Sequence, residues 1–166
     1  MKSSKKLLAA AAAAALAVPL AASSASAATV QDDLAAVRAA TAKYHDVNVA
    51  LADGYTADVH CIPGMGIHYV NFASFGAPPD PLHPGALLYA PAPNGRLKLV
   101  AVEWFQVDAD QDLTTDSDRP YFFGTAFDGP MPGHAPGMPI HYDLHAYIWS
   151  HNPDGVLTTW NPNITC

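Results

Sequence analysis

Glycine and proline punctuate this chain so densely that long elements have few places to form. Gly76–Gly95 holds nine Gly or Pro in twenty residues, and Gly124–Pro139 holds eight in sixteen. Proline lacks a ladder donor and glycine weakens a strand, so both stretches read as loops. The apolar runs around them are short and favour strands: Gly66–Ser74, Ala86–Ala90, Pro120–Phe127, Ile140–Trp149 and Val156–Trp160. Leu97–Val107 is longer, and strict alternation puts Leu97, Leu99, Ala101, Glu103, Phe105 and Val107 on one face. A single stretch, 30–53, has helical spacing, carried by Leu34, Val37, Tyr44, Val47 and Leu51. Thr29 can cap its start and Gly54 can end it. One helix followed by five or six strands predicts an α+β domain, the amphipathic helix packed on an antiparallel sheet or open β-barrel.

The N-terminus reads as an export signal. Lys2, Lys5 and Lys6 precede the Ala-rich apolar run Leu7–Ala22, and Ala25-Ser26-Ala27 supplies a small-residue cleavage site. Residues 1–27 are therefore expected to be a signal peptide and 28–166 a single secreted or extracytoplasmic domain. The run falls short of the roughly 20 apolar residues a membrane span needs, so no membrane anchor is expected. Cleavage would remove three of eight Lys/Arg and none of fifteen acids, leaving a net charge of −10 with histidine neutral. Five basic residues cannot neutralise a phosphate backbone or an anionic bilayer, which excludes both as partners. The two cysteines, Cys61 and Cys166, are expected to form one disulfide in an oxidising compartment.

Histidine is the unusual component. All eight, His45, His60, His68, His83, His134, His141, His145 and His151, follow the expected cleavage site. Imidazole is the commonest protein metal ligand, so the enrichment points to a metal. His141 and His145 have helical i, i+4 spacing, but Pro139 and the aromatic residues around them favour a strand. On a strand the two side chains share a face about 13 Å apart, too far to bind one ion. One of the two, taken as His145, is therefore expected to be a ligand with partners from neighbouring strands, and the other, His141, to stand nearby as an acid–base or substrate-facing group. Glu103 is the one glutamate in the chain and lies in an apolar strand, where a carboxylate needs a partner. His68 lies in a strand beside Gly64 and Gly66, which permit close backbone approach. His68, Glu103 and His145 form the expected metal set, suited to zinc or copper.

Other segments carry softer signals. Met131, His134 and Met138 bring thioethers and imidazole together in one loop, a Cu(I)-type donor set. Asp108, Asp110 and Asp112 imitate the start of a calcium loop, but Leu113 and Arg119 replace the glycine and glutamate that an EF-hand requires. A solvated acidic loop is expected there. No G-x-S-x-G motif supports nucleophilic hydrolysis. Trp104, Trp149, Trp160, Tyr69, Tyr142 and Tyr147 are candidates to line an aromatic pocket.

The segments Gly64-Met-Gly-Ile-His-Tyr-Val-Asn71, His141-Tyr-Asp-Leu-His-Ala-Tyr-Ile-Trp149 and Trp160-Asn-Pro-Asn-Ile-Thr-Cys166 resemble those of a family of small exported bacterial proteins. The resemblance implies export and carries no activity, fold or ligand. Three readings stay open from sequence. The first is an exported transition-metal-binding protein. The second is a metal-dependent enzyme using the same ligands with an open coordination position. The third is a metal-free secreted module that binds a small molecule in an aromatic pocket.

Overall fold

The computed structural model describes residues 22–93, 95–134 and 137–166, with side chains from Thr29 onward. The basic region and apolar run of the expected leader lie outside the described residues, and Ala25–Ala27 lie in the first helical turns. No described helix is long and apolar enough to cross a membrane.

Helix α1 spans Ala22–Thr41, so Thr29 is interior to it and not its cap. A 3-10 turn, Ala42–His45, then leads into a second short helix, α2, Val47–Ala52. The expected single helix is broken because Asp46 takes extended backbone geometry, and its side chain accepts from the Asn48 amide at 3.0 Å. The break rotates the register. Ala50 is buried, whereas Leu51, expected on the apolar face, is exposed. Gly54, at φ +91°, ends α2 as expected.

Six antiparallel strands make one open sheet. They are β1 (Thr56–Ile62), β2 (Gly66–Val70), β3 (Ala86–Pro91), β4 (Leu97–Val107), β7 (Asp128–Met131) and β8 (His141–Ala146), ordered β1-β2-β3-β4-β8-β7. Between β4 and β7, β5 (Tyr121–Phe122) and β6 (Thr125–Ala126) form a separate small hairpin. Thus Pro120–Phe127 is a tight turn, with Phe123 and Gly124 at positive φ, and not one strand. β7 forms inside a run expected to be loop. Its place at the sheet edge, with a register shift between Asp128 and Met131, is where proline is tolerated. Val156–Trp160 forms no strand. Val156 accepts the Tyr147 amide, and the Asn152 side-chain amide donates to Thr158 Oγ1 and the Trp160 carbonyl, so the segment turns back locally.

The sheet separates two cores. The helix side holds Val37, Tyr44, Tyr69, Leu87, Tyr89, Leu99, Val102, Trp104, Tyr142 and Leu144. The opposite side holds Ala86, Leu88, Val100, Ala101, Phe105, Tyr147 and Ile164, roofed in part by Met65, Phe75 and Met138. A bulge decides which β4 residues face which core. Leu88 pairs with Ala101 but Tyr89 pairs with Leu99, so one extra residue is inserted. Leu99 therefore packs with the helix, while Ala101 and Phe105 join the other core. Strict alternation along β4 would put all three together.

The chain end is fastened to the second side. Cys61 and Cys166 form a disulfide, Cα atoms 5.9 Å apart, across 105 residues of sequence. Beside it the Gly64 amide donates to the Ile164 carbonyl, and the Asn161 amide to the Gly64 carbonyl, both at 2.9 Å. Closing so long a loop restricts the unfolded chain strongly. Cys166→Ser should therefore cost about 2–5 kcal/mol in urea unfolding and open the last residues to limited proteolysis. A variant as stable and protease-resistant as the parent would contradict this account.

Candidate metal centre

The second core contains titratable side chains that an apolar core would not tolerate unpaired. β8 shows why they are there. Tyr142, Leu144 and Ala146 join the helix-side core, which turns the alternate residues His141, Asp143 and His145 to the opposite face. All three are 2% exposed or less. Register then brings Glu103 of β4 directly opposite His145, with Ala86 of β3 as its other neighbour. His68 of β2 pairs with Leu88, one same-face position along β3, and its ring reaches past small Ala86 to Glu103. β2 can lie close to β3 because Gly66, at φ +103°, has no Cβ. A Cβ there would stand 2.5 Å from the Tyr89 carbonyl oxygen.

The three expected ligands therefore meet. His68 Nε2 lies 3.5 Å from Glu103 Oε2, and His145 Nε2 lies 3.6 Å from Glu103 Oε1. One donor atom from each residue falls within 4.8 Å of the others, the one such group of acids, histidines or cysteines among the described residues. These separations exceed the 2.7–2.9 Å expected of a charge-assisted hydrogen bond. They approach the spacing of about 3.3–3.5 Å between donors sharing a tetrahedral ion at about 2.0–2.1 Å. Glu103 Oε2 and both ring nitrogens of His145 have no hydrogen-bond partner. Burying such groups costs free energy unless something else binds them.

Their protonation follows from burial. Desolvation holds His68 at about 4 and His145 at about 3, the latter also lowered by His68 and His134. Both rings are thus neutral near pH 7 and free to donate a lone pair. Burial, and then the Asp143 charge, raise the Glu103 carboxyl well above the usual range. Nearby carboxylate does not turn these histidines into imidazolium, because desolvation outweighs it.

Asp143 completes the arrangement and went unassigned from sequence. Its Oδ1 lies 3.6 Å from His145 Nδ1, on the side of the ring away from Glu103. A carboxylate hydrogen-bonded behind a ligating histidine fixes the ring's tautomer and orientation, and at 3.6 Å Asp143 stands just short of that bond. Burial, then Asp128, push Asp143 up to about 7. The available signal was its two-residue spacing from His145, which places both on one face of a strand.

The remaining candidates lie around this group. His141 is fully buried beyond Asp143, with Nδ1 3.1 Å from the Pro139 carbonyl and Nε2 unpartnered. His134 packs edge-on against His141 at 5.1 Å between ring centres, and its amide donates to the Met138 sulfur at 3.3 Å. Met131 pairs with His141 across β7 and β8. His45 packs on Trp149, away from the group. The six aromatic candidates do not line one pocket: Trp104, Tyr69 and Tyr142 are helix-side core, Trp149 packs partly buried against that core, Tyr147 is in the other core, and Trp160 is exposed. Among the described residues one surface cleft is lined by Arg38, Trp149 and His151 and another by Lys43, Asp53 and His83. Neither includes the His/Glu group.

No family model, curated protein or solved structure matches this chain. The donor atoms themselves are the basis for a functional reading.

The raised Glu103 carboxyl fixes a sign. Between the carboxyl's unfolded value, near 4.5, and its higher folded value, the metal-free fold retains a proton that the unfolded chain has lost. Stability from this group is present at low pH and lost as pH rises through that window. His68 and His145 act oppositely, removing stability as pH falls below about 6.5, where unfolded imidazoles protonate. Because both proteins keep those histidines, Glu103→Gln isolates the carboxyl. In chelator the variant should gain about 1–3 kcal/mol over the parent at about pH 8, and less at about pH 5. Thermal melts at the two pH values would show it, and a difference independent of pH would contradict it.

Proposed function

We propose that this chain is an exported transition-metal-binding protein that holds one zinc or copper ion through His68, Glu103 and His145. The convergence of one donor atom from each of β2, β4 and β8 within 4.8 Å, with Glu103 Oε2 and both His145 ring nitrogens lacking a hydrogen-bond partner, carries the proposal. Two neutral imidazoles and a carboxylate suit borderline divalent ions. A bound cation would also draw Glu103 back to its ionised form, relieving the cost of its burial. Export is supported by the N-terminal signal pattern and by the Cys61–Cys166 disulfide.

Burial favours binding over catalysis. Of the three side chains only His68 reaches the surface, at 13% exposure. The enzyme reading needs a substrate beside an open coordination position, and the two clefts named above lie elsewhere.

Untagged protein should carry, or take up after dialysis, about one equivalent of zinc or copper, as measured by elemental analysis. His145→Ala should abolish tight binding, and Asp143→Asn should weaken it about 10–100-fold. Dialysed protein that takes up under about a tenth of an equivalent of either metal would refute the proposal.

A further inference from the structure

The β7–β8 end of the sheet contains a second group of donors, outside the His/Glu set. His141 is fully buried, and its two ring nitrogens differ. Nδ1 lies 3.1 Å from the Pro139 carbonyl, which can only accept, so in the neutral ring Nδ1 holds the proton and Nε2 the lone pair. That Nε2 is buried and has no hydrogen-bond partner. A histidine kept only for packing would be expected to satisfy both nitrogens or to leave the free one in water.

The loop before β8 brings soft donors to this ring. His134 packs edge-on against His141, with ring centres 5.1 Å apart. Two imidazoles that share an ion at about 2.0–2.1 Å have centres roughly 5 Å apart, so the spacing suits a shared ion. The loop closes on itself at Gly133, where a Cβ would stand 2.1 Å from the Met138 carbonyl oxygen. Closure sets the Met138 sulfur 3.3 Å from the His134 amide nitrogen, and Met138 packs on the second core. Met131 stands opposite His141 in register across β7 and β8.

We propose that His134, His141 and Met138 form a second metal site that binds monovalent copper, with Met131 beside it. The loop trio expected from sequence thus gains a buried imidazole from β8. Donor types decide the ion. Among the described residues no third histidine, cysteine or acid joins His134 and His141 within 4.8 Å. A thioether is therefore the available third donor, and thioether with imidazole suits Cu(I), whereas calcium and magnesium need oxygen. The Met138 sulfur is a weak acceptor engaged by a single N–H, which leaves it a lone pair for a metal. Neutral donors also match a single positive charge, since no carboxylate among them would balance a second one beside a buried ring. The site rests on these donors alone and does not depend on the His/Glu group holding an ion.

Silver(I), a redox-inert stand-in for Cu(I), tests the site on the full chain labelled at its methionine methyl groups. About one equivalent, beside an equal concentration of free methionine, should shift the Met138 methyl resonance. Cu(I) kept reduced by ascorbate should shift it as well. His134 is exposed, so His134→Ala should keep the fold and lose the shift. His141→Gln should lose it too, and His134→Ala decides the matter if that buried variant fails to fold. Glu103→Gln, which alters the other centre, should keep the shift. The inference is overturned if the Met138 methyl stays unmoved in the parent, if it still moves in His134→Ala or in folded His141→Gln, or if Glu103→Gln abolishes the movement. A chain that takes up neither zinc nor Cu(II) but shows this shift would refute the function proposed above and leave the Cu(I) site standing.

Discussion

Glu103 is a carboxyl group 3% exposed in the middle of the longest strand, with no basic side chain bonded to it. A carboxylate left in that state would cost several kcal/mol, far more than one surface substitution contributes. The fold has two ways to tolerate it. The carboxyl can keep its proton, or a cation can replace the proton. The surroundings favour the second, because His68 and His145 are held neutral by burial and direct ring nitrogens toward the same point. A group meant only to stay protonated would be expected to have a hydrogen-bond acceptor at about 2.5–2.8 Å, and the histidines stand 3.5 and 3.6 Å away.

Placing that group depends on the parity of β4. Without the bulge at Leu88/Tyr89, Leu99 and Glu103 would share a face. Either the helix-side core would lose Leu99, or Glu103 would enter it beside Trp104. The added residue lets β4 serve an apolar core at its start and the polar face along the rest. The polar face then needs a cover, and among the described residues neither α1 nor α2 is packed on it. The chain end does so in part, with Ile164 packed on that face and Cys166 tied to β1. The disulfide therefore stabilises the fold and helps hold Ile164 on that face.

The sequence made some of this legible and hid the rest for physical reasons. β4 has the expected bounds, Leu97–Val107, because its alternating apolar residues have no glycine or proline among them. Strand rise separates His141 from His145 without choosing between them, and the three expected ligands lie on β2, β4 and β8. The bulge was not legible, since one inserted residue leaves no compositional mark. Nor was β1, whose residues Thr56–His60 are exposed and lack an apolar face. β7 was hidden by its Gly129-Pro130 pair, which an edge strand accommodates. The helix break at Asp46 has a capping residue as its signal, outweighed by the apolar spacing on both sides.

β4 also separates two kinds of donor by position. Within the strand, Glu103 faces the second core and is met by imidazoles, which β2 and β8 can present because they flank the same face. One residue past its end, Asp108 falls on the opposite parity and turns toward the side of Tyr142 and Asp118. There the supporting chain is a loop, and loops offer carboxylates and carbonyl oxygen at adjustable spacing rather than rings at fixed register. Rigid strands suit a small ion that demands short, defined bonds. The same alternation that buries Glu103 among histidines thus turns Asp108, at the opposite parity, away from them.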